Sequence, residues 1–333
     1  PILIPENSTG NVNIILKGEN GLKAGNYYAA IQKNGNAENI GTLTISGDGS
    51  LMAAGGYNAA GVGSSDGKPV KNIVISSGII TATGGVYGAG IGGGDRGTAS
   101  NITISGGTIT ATGGNNGAGI GGGGYAGMGI GITISGGTVT ATSIAAGDYE
   151  VTGAGIGGGA RGTGSNITIT GGTVIATATA EAENISTGAG IGGGYSKQGN
   201  HITISGGTVT ATSIAAGDYG TTGAGIGGGY AGMGNDITIS GGTVTAISSV
   251  TGEYSCAGAG IGGGFSCMGI GITISGGTVT ALSTADDASY EGYGIGSGWG
   301  ANDDSTPMVT GGNIKVNKLC GIQGKDGDEP YEA

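Results

Sequence analysis

The sequence predicts an all-β chain wound as a single parallel β-solenoid, three-sided and right-handed, with one glycine-rich side. Three observations predict it. A segment of strict two-residue alternation recurs about ten times along the chain. A glycine-rich segment follows each copy, and nearly all the length variation falls in the loops between them. Composition leaves little else: of 333 residues 86 are glycine and 5 proline, and aromatics make up 5%. Neither a conventional globular core nor a collagen triplet fits these values. Unpatterned glycine-rich chain would stay disordered, because an ordered glycine loses backbone entropy and buries no side chain in return.

The clearest unit runs Asn101-Ile-Thr-Ile-Ser-Gly-Gly-Thr-Ile-Thr-Ala-Thr112, then a loop, then Gly117-Ala-Gly-Ile-Gly-Gly-Gly123. Copies of the first part begin at Asn72, Gly131, Asn166, His201, Asp236 and Gly271, with a weaker one at Gly41, a partial one at Met308 and a diverged coil over Val12 to Gly35. Spacing drifts from 29 to 36 residues. Alternation in Ile102-Thr-Ile104 and Thr108 to Thr112 is that of strands with one buried face: Ile102, Ile104, Ile109 and Ala111 point in, the threonines out. Ser105-Gly106-Gly107 is short enough to turn a corner, and a chain that turns so often winds rather than forming a flat sheet. Coils spaced about 4.8 Å apart then bury their isoleucines only by resting on one another, and ten of them make a rod of about 45–50 Å. Right-handed winding follows the usual crossover preference. The third side, Gly117 to Gly123, is expected to be a parallel strand with Ala118 and Ile120 inward and bare glycine backbone outside; the alternative is a polyglycine-like segment.

All of 1–333 reads as one domain: 1–40 a diverged N-terminal coil, 41–307 regular repeats, 308–333 a C-terminal coil and tail, the whole expected to be excised from a larger surface protein. With 22 acidic and 11 basic residues the formal charge is −11, and between Asn72 and Ile314 the fixed positive charges are Arg96, Arg161 and Lys197. Nucleic acid is excluded on this balance. No apolar run approaches a membrane span, and no leader is recognisable, so none is expected to remain. Cys256, Cys267 and Cys320 make no zinc spacing; they read as small buried side chains, with one disulfide as the alternative.

Catalytic constellations are missing. The single His201 stands at a strand start that is asparagine in other copies and reads as a solvated corner residue. The acidic pairs Asp286-Asp287 and Asp303-Asp304 sit in loops, where two neighbouring carboxylates seldom experience the different environments that acid–base work needs. Gly-x-Gly-x-x-Gly recurs in every coil without the helix and acidic residue of a dinucleotide site. The chain is therefore expected not to be an enzyme. Two registers carry more information. Tyr195, Tyr230, Phe265 and Trp299 follow the glycine segment in successive coils and should stack as a ladder, either stiffening the rod or offering a platform to sugar rings. Asp148-Tyr149, Asp218-Tyr219 and Glu253-Tyr254 align after the threonine strand, with Tyr290-Glu291 close to them and Glu181 and Glu183 in the coil between. Their rings are candidate sugar contacts, and Asp148, Asp218 and Glu253 are candidate Ca²⁺ ligands, the one cofactor this reading admits. Thr108, Thr110, Thr112 and their copies form a flat array like that of an ice-binding surface, broken by Ile175, Ile247 and Leu282.

The repeat Asn-Ile-Thr-Ile-Ser-Gly-Gly-Thr-Val-Thr-Ala-Thr followed by Gly-Ala-Gly-Ile-Gly-Gly-Gly resembles the glycine-rich repeat regions of large surface proteins of Gram-positive bacteria. The resemblance implies secretion, attachment to the cell wall and adhesion or glycan binding, and it transfers no individual site residue. The expectation is a non-catalytic solenoid holding an extended polysaccharide or glycoprotein glycan. The alternatives are a passive stalk, ice binding, or a β-helical polysaccharide lyase or hydrolase.

Overall fold

The computed structural model describes residues 1–319 apart from 36, 39, 146, 148, 149, 303 and 304. Its strands form three parallel sheets of ten, eleven and ten strands, in which each strand pairs with its counterpart in the next coil. One sheet starts with Ile2–Ile4 and Ile31–Lys33 and continues as Ile-Gly or Val-Gly pairs from Val62–Gly63 to Ile295–Gly296. A second runs from Val12–Leu16 to Met308–Val309, and the third from Glu19–Lys23 to Asn313–Val316. Ile2–Ile4 is a full strand of the first sheet, which the short Pro-flanked sequence did not announce. Among the described residues the one helical element is the 3-10 turn Ala288–Tyr290.

Alternation translates directly into burial. Ile102, Ile104, Ile109, Ala111 and Ile120 are buried, as are their counterparts above and below, in one continuous core from Ile4 to Ile295. Each such isoleucine contributes about 1.5–3 kcal/mol, and only because neighbouring coils cover it. Thr108, Thr138, Thr173, Thr208, Thr243 and Thr278 lie in one outward column.

The corners explain the punctuation of the repeat. Asn101, Asn166, His201 and Asp236 occupy one register at φ of 54°, 54°, 52° and 53°. Asparagine and aspartate tolerate this left-handed region best among side-chain-bearing residues, and glycine replaces them at Gly131 and Gly271. His201 is the corner residue expected: exposed, its Nε2 lies 3.3 Å from the exposed Asp236 carboxylate, a pair of small energetic weight.

The glycine side departs from expectation. Only Ile120–Gly121 is strand, and its outer surface is not bare, because Gly117 to Gly124 are all buried. The Ala118 N–H donates to the Gly122 carbonyl at 2.9 Å, turning the segment back on itself, and the N–H of Ala160, just after the next coil's glycine segment, donates to Asn116 O at 2.7 Å. The flanking loops thus close over the glycines, and no flat glycine platform faces solvent.

The drift in repeat length has one structural source. Ile91 to Ile120 is a coil of 29 residues, Ile156 to Ile191 one of 35. In the longer coils the threonine strand continues to Ala145, Glu181, Ala216 and Thr251, and a return segment bridges Val151, Ser186, Thr221 and Cys256 in parallel register. This side lobe has its own small core around Ala180, Ile185, Ala215 and Val250. The seam between lobe and rod is polar and buried. Ser213 Oγ lies 2.7 Å from Thr187 Oγ1 and donates to Gly188 O at 2.8 Å; Ser248 repeats this with Thr222 at 2.6 Å and Gly223 O at 2.9 Å.

Candidate ligand-binding ridge

The lobe and the glycine turn together hold the first aromatic register. The N–H groups of Tyr195, Tyr230 and Phe265 donate to the carbonyls of Thr152, Thr187 and Thr222 at 3.1–3.2 Å, and that of Trp299 to Ala257 O at 3.1 Å. Equivalent backbones fix equivalent rings. Tyr195 and Tyr230 stack at 5.1 Å, Tyr230 and Phe265 at 5.3 Å, Phe265 and Trp299 at 5.8 Å, with planes within 18°. The ladder forms as expected, but its rings are half-buried rather than freely outward, and their faces are turned to one another. Tyr290 leans over Trp299 at 5.4 Å, and the Trp299 indole N–H donates to Ser289 O at 2.6 Å, covering the C-terminal end. A sugar ring approaching this ladder therefore meets edges along most of its length.

Burial, followed by Tyr195, Cys256 and Cys267, raises the Tyr230 phenol pKa. Cys256 is buried and Cys267 half-buried; both are free thiols whose pKa is raised by burial, the opposite of a reactive thiolate. Cys320 lies outside the described residues.

The second register sits at the tip of the lobe. Tyr219 and Tyr254 stack at 5.4 Å with planes 16° apart, and they are 55% and 60% exposed. Both have φ near +56°, as has Asn184 one coil below, where Glu183 occupies the acidic position. Asp148 and Tyr149 lie outside the described residues. The carboxylates knit adjacent loops: Asp218 Oδ1 accepts from the Glu253 N–H at 2.9 Å, and Asp286 Oδ2 from the Gly252 N–H at 2.8 Å. Beyond Tyr254 opens a depression of about 480 Å³ lined by Asp218, Glu253, Tyr254, Ser255, Asp286, Asp287 and Tyr290. Tyr219 covers one face of Tyr254, and Tyr254, 60% exposed, is among the residues that line the depression. Tyr290, whose carbonyl accepts from the Ala257 N–H, both lines the depression and contacts Trp299, so the two aromatic groups approach each other here.

Among the described residues, no three His, Cys, Asp or Glu side chains converge as a metal site. Of the candidate Ca²⁺ ligands, Asp218 accepts from the Glu253 backbone N–H through Oδ1, and Asp148 lies outside the described residues. Asp287 accepts from the Ser289 N–H and hydroxyl at 2.9 and 2.7 Å, and these bonds lower its pKa, favouring the carboxylate over a general acid. Asp303 and Asp304 lie outside the described residues.

A third ring ladder was not foreseen. Tyr57, Tyr87 and Tyr125 contact in sequence at 5.7 and 5.2 Å, and burial together with these neighbours pushes the Tyr87 phenol up to about 12. Tyr57 and Tyr87 precede their glycine segments and Tyr125 follows one, so no single register of the repeat reveals this ladder.

A family model described as a beta helix repeat matches this chain at residues 43–66, 73–95, 102–125, 132–160, 167–195, 202–230, 237–265 and 272–299, more than half its length. Comparison with curated proteins and with solved structures gives no match.

Proposed function

The chain belongs to the β-helix repeat family, and from that premise we propose that it is a non-catalytic extracellular solenoid, secreted or wall-attached, whose lobe edge holds an extended carbohydrate. One observation carries the reading: the exposed Tyr254 is among the residues lining an open, acid-rimmed depression. An aromatic plane and carboxylate oxygens are the two surfaces a sugar needs, one for its apolar C–H face and one for its hydroxyls. Tyr219, and the Asp218 and Glu253 rim, extend this surface along the rod, so a longer glycan finds further weak contacts of about 1 kcal/mol each. Affinity is then modest and grows with ligand length.

A glycan array, followed by titration of the best oligosaccharide, tests this. Tyr254→Asn removes the ring while keeping a residue suited to positive φ, and Asp286→Asn removes a rim charge. Each is expected to weaken binding by about tenfold, equivalent to about 1.4 kcal/mol, with the fold intact by circular dichroism. Binding unchanged in both variants, or no glycan bound by the parent chain, overturns the assignment.

A passive stalk is the second reading, favoured by the ring faces that Tyr195, Tyr230, Phe265 and Trp299 turn to each other.

A further inference from the structure

Far from the lobe, among the shorter coils, three oxygen-bearing residues lie close together in adjacent coils. Asp66 and Asp95 occupy equivalent positions of adjacent coils, three residues past the paired Gly63 and Gly92, and the Gly67 N–H donates to Asp95 O at 2.8 Å. Asn58 is tied to both: its backbone carbonyl accepts from the Asp95 N–H at 2.7 Å, and its Nδ2 donates to Asp66 Oδ2 at 2.9 Å.

This cluster is short of positive charge and of donors. Asp95 is 3% exposed, and its Oδ1 is buried with no hydrogen-bond partner; the Asn58 Oδ1 is likewise buried and unpartnered. Leaving such acceptors unpaired costs about 1–3 kcal/mol each, more for a charged group. The nearby cations do not resolve this. Arg96 is largely exposed and its guanidinium stands 3.6 Å from Asp95 Oδ2, while Lys68 is held by Glu6 at 3.0 Å. Burial raises the Asp95 pKa, Arg96 opposing and Asp66 adding to it, as for a carboxylate lacking its full counter-charge.

We propose that Asn58, Asp66 and Asp95 form a Ca²⁺ site that clamps these two coils together. Two carboxylates and an amide carbonyl are hard oxygen ligands of the kind Ca²⁺ takes, and water completes its six to eight positions from the half-exposed side occupied by Asn58 and Asp66. A clamp across the coil stack also adds a bond along the rod axis, where each coil otherwise relies on its neighbours.

Calorimetric titration of the chelator-stripped full chain with CaCl₂ tests the site. One Ca²⁺ is expected per chain, with a Kd of about 10⁻⁴ to 10⁻³ M as in extracellular modules, and a higher melting temperature in Ca²⁺ than in chelator. Asp66→Asn, at a half-exposed position, should weaken binding at least about tenfold, and Asp95→Asn should abolish it. If Asp95→Asn does not fold, Asp66→Asn decides alone. Asp218→Asn with Glu253→Gln should leave Ca²⁺ affinity unchanged. The proposal is overturned if the folded parent chain binds no Ca²⁺ at about 10 mM, if Asp66→Asn keeps the parent affinity, or if the Asp218/Glu253 variant loses binding instead.

Discussion

Replacing Gly192 by alanine is expected to cost more than about 4 kcal/mol and to unfold the coils on either side of it. Gly192 has φ +135°, and a Cβ placed on it would stand 2.0 Å from the Gly227 carbonyl oxygen of the next coil. That oxygen is not free to retreat, because it accepts from the Gly193 N–H at 2.9 Å, one rung of the backbone ladder that joins the coils. Gly157 and Gly227 stand in the same relation to the coils above them, so relaxing one position displaces the column. A stack in which each coil touches only its neighbours should then lose cooperativity, and urea unfolding followed by circular dichroism should show either no native baseline or two transitions. Gly21→Ala is the control. Its added Cβ meets nothing within 4 Å, and stability should stay within about 0.5 kcal/mol of the parent. A single parent-like transition for Gly192→Ala would refute the argument.

Ser213→Ala should destabilise the chain by about 1–3 kcal/mol, out of proportion to the loss of one oxygen atom. Ser213 and Thr187 are both fully buried, so removing the serine hydroxyl strands Thr187 Oγ1 and the Gly188 carbonyl away from water. Replacing Thr187 by valine as well removes one of the orphaned groups, and the double variant should be more stable than the sum of the two single changes implies. A double-mutant cycle from chemical denaturation measures this coupling. A Ser213→Ala cost below about 0.5 kcal/mol would mean that water reaches the seam and that the hydroxyl column carries no weight. The chain already contains one such gap: Ala178 stands in the register of Ser143 and Ser213.

Much of this architecture is legible in the residues because a solenoid repeats one decision. The parity of Ile102-Thr-Ile104 assigns inside and outside for every copy, and a column of Asn, His and Asp at the repeat start marks a positive-φ corner. The same parity also places Ser143, Ser213 and Ser248 inward, because side-chain direction follows from the pleat whatever the residue type. Register likewise placed Tyr195, Tyr230, Phe265 and Trp299 in one line, and Tyr219 with Tyr254 in another. Which face of a ring is free depends on χ angles and on what the neighbouring coil brings, and neither is written in spacing. Closure over the glycine side was hidden for a related reason: it depends on a bond between Ala160 and Asn116 in different coils, not on a pattern within one. The Asn58, Asp66 and Asp95 cluster escaped notice because it joins a loop before the glycine segment to loops after it.

The pairing of every strand with its counterpart one coil away has a mechanical consequence. Backbone hydrogen bonds run along the rod, so a pull between its ends loads them in tension, where they part in small groups rather than shearing together. Under such a load an end coil peels first. Each 35-residue coil then releases about 120 Å of chain at about 3.3–3.6 Å per residue, in exchange for about 4.8 Å of rod. Stretching a single tethered chain should accordingly give a staircase of short, nearly equal force peaks, lengthening the molecule stepwise while the remaining coils keep their shape. A rod of this construction yields gradually and limits the force transmitted to whatever it holds.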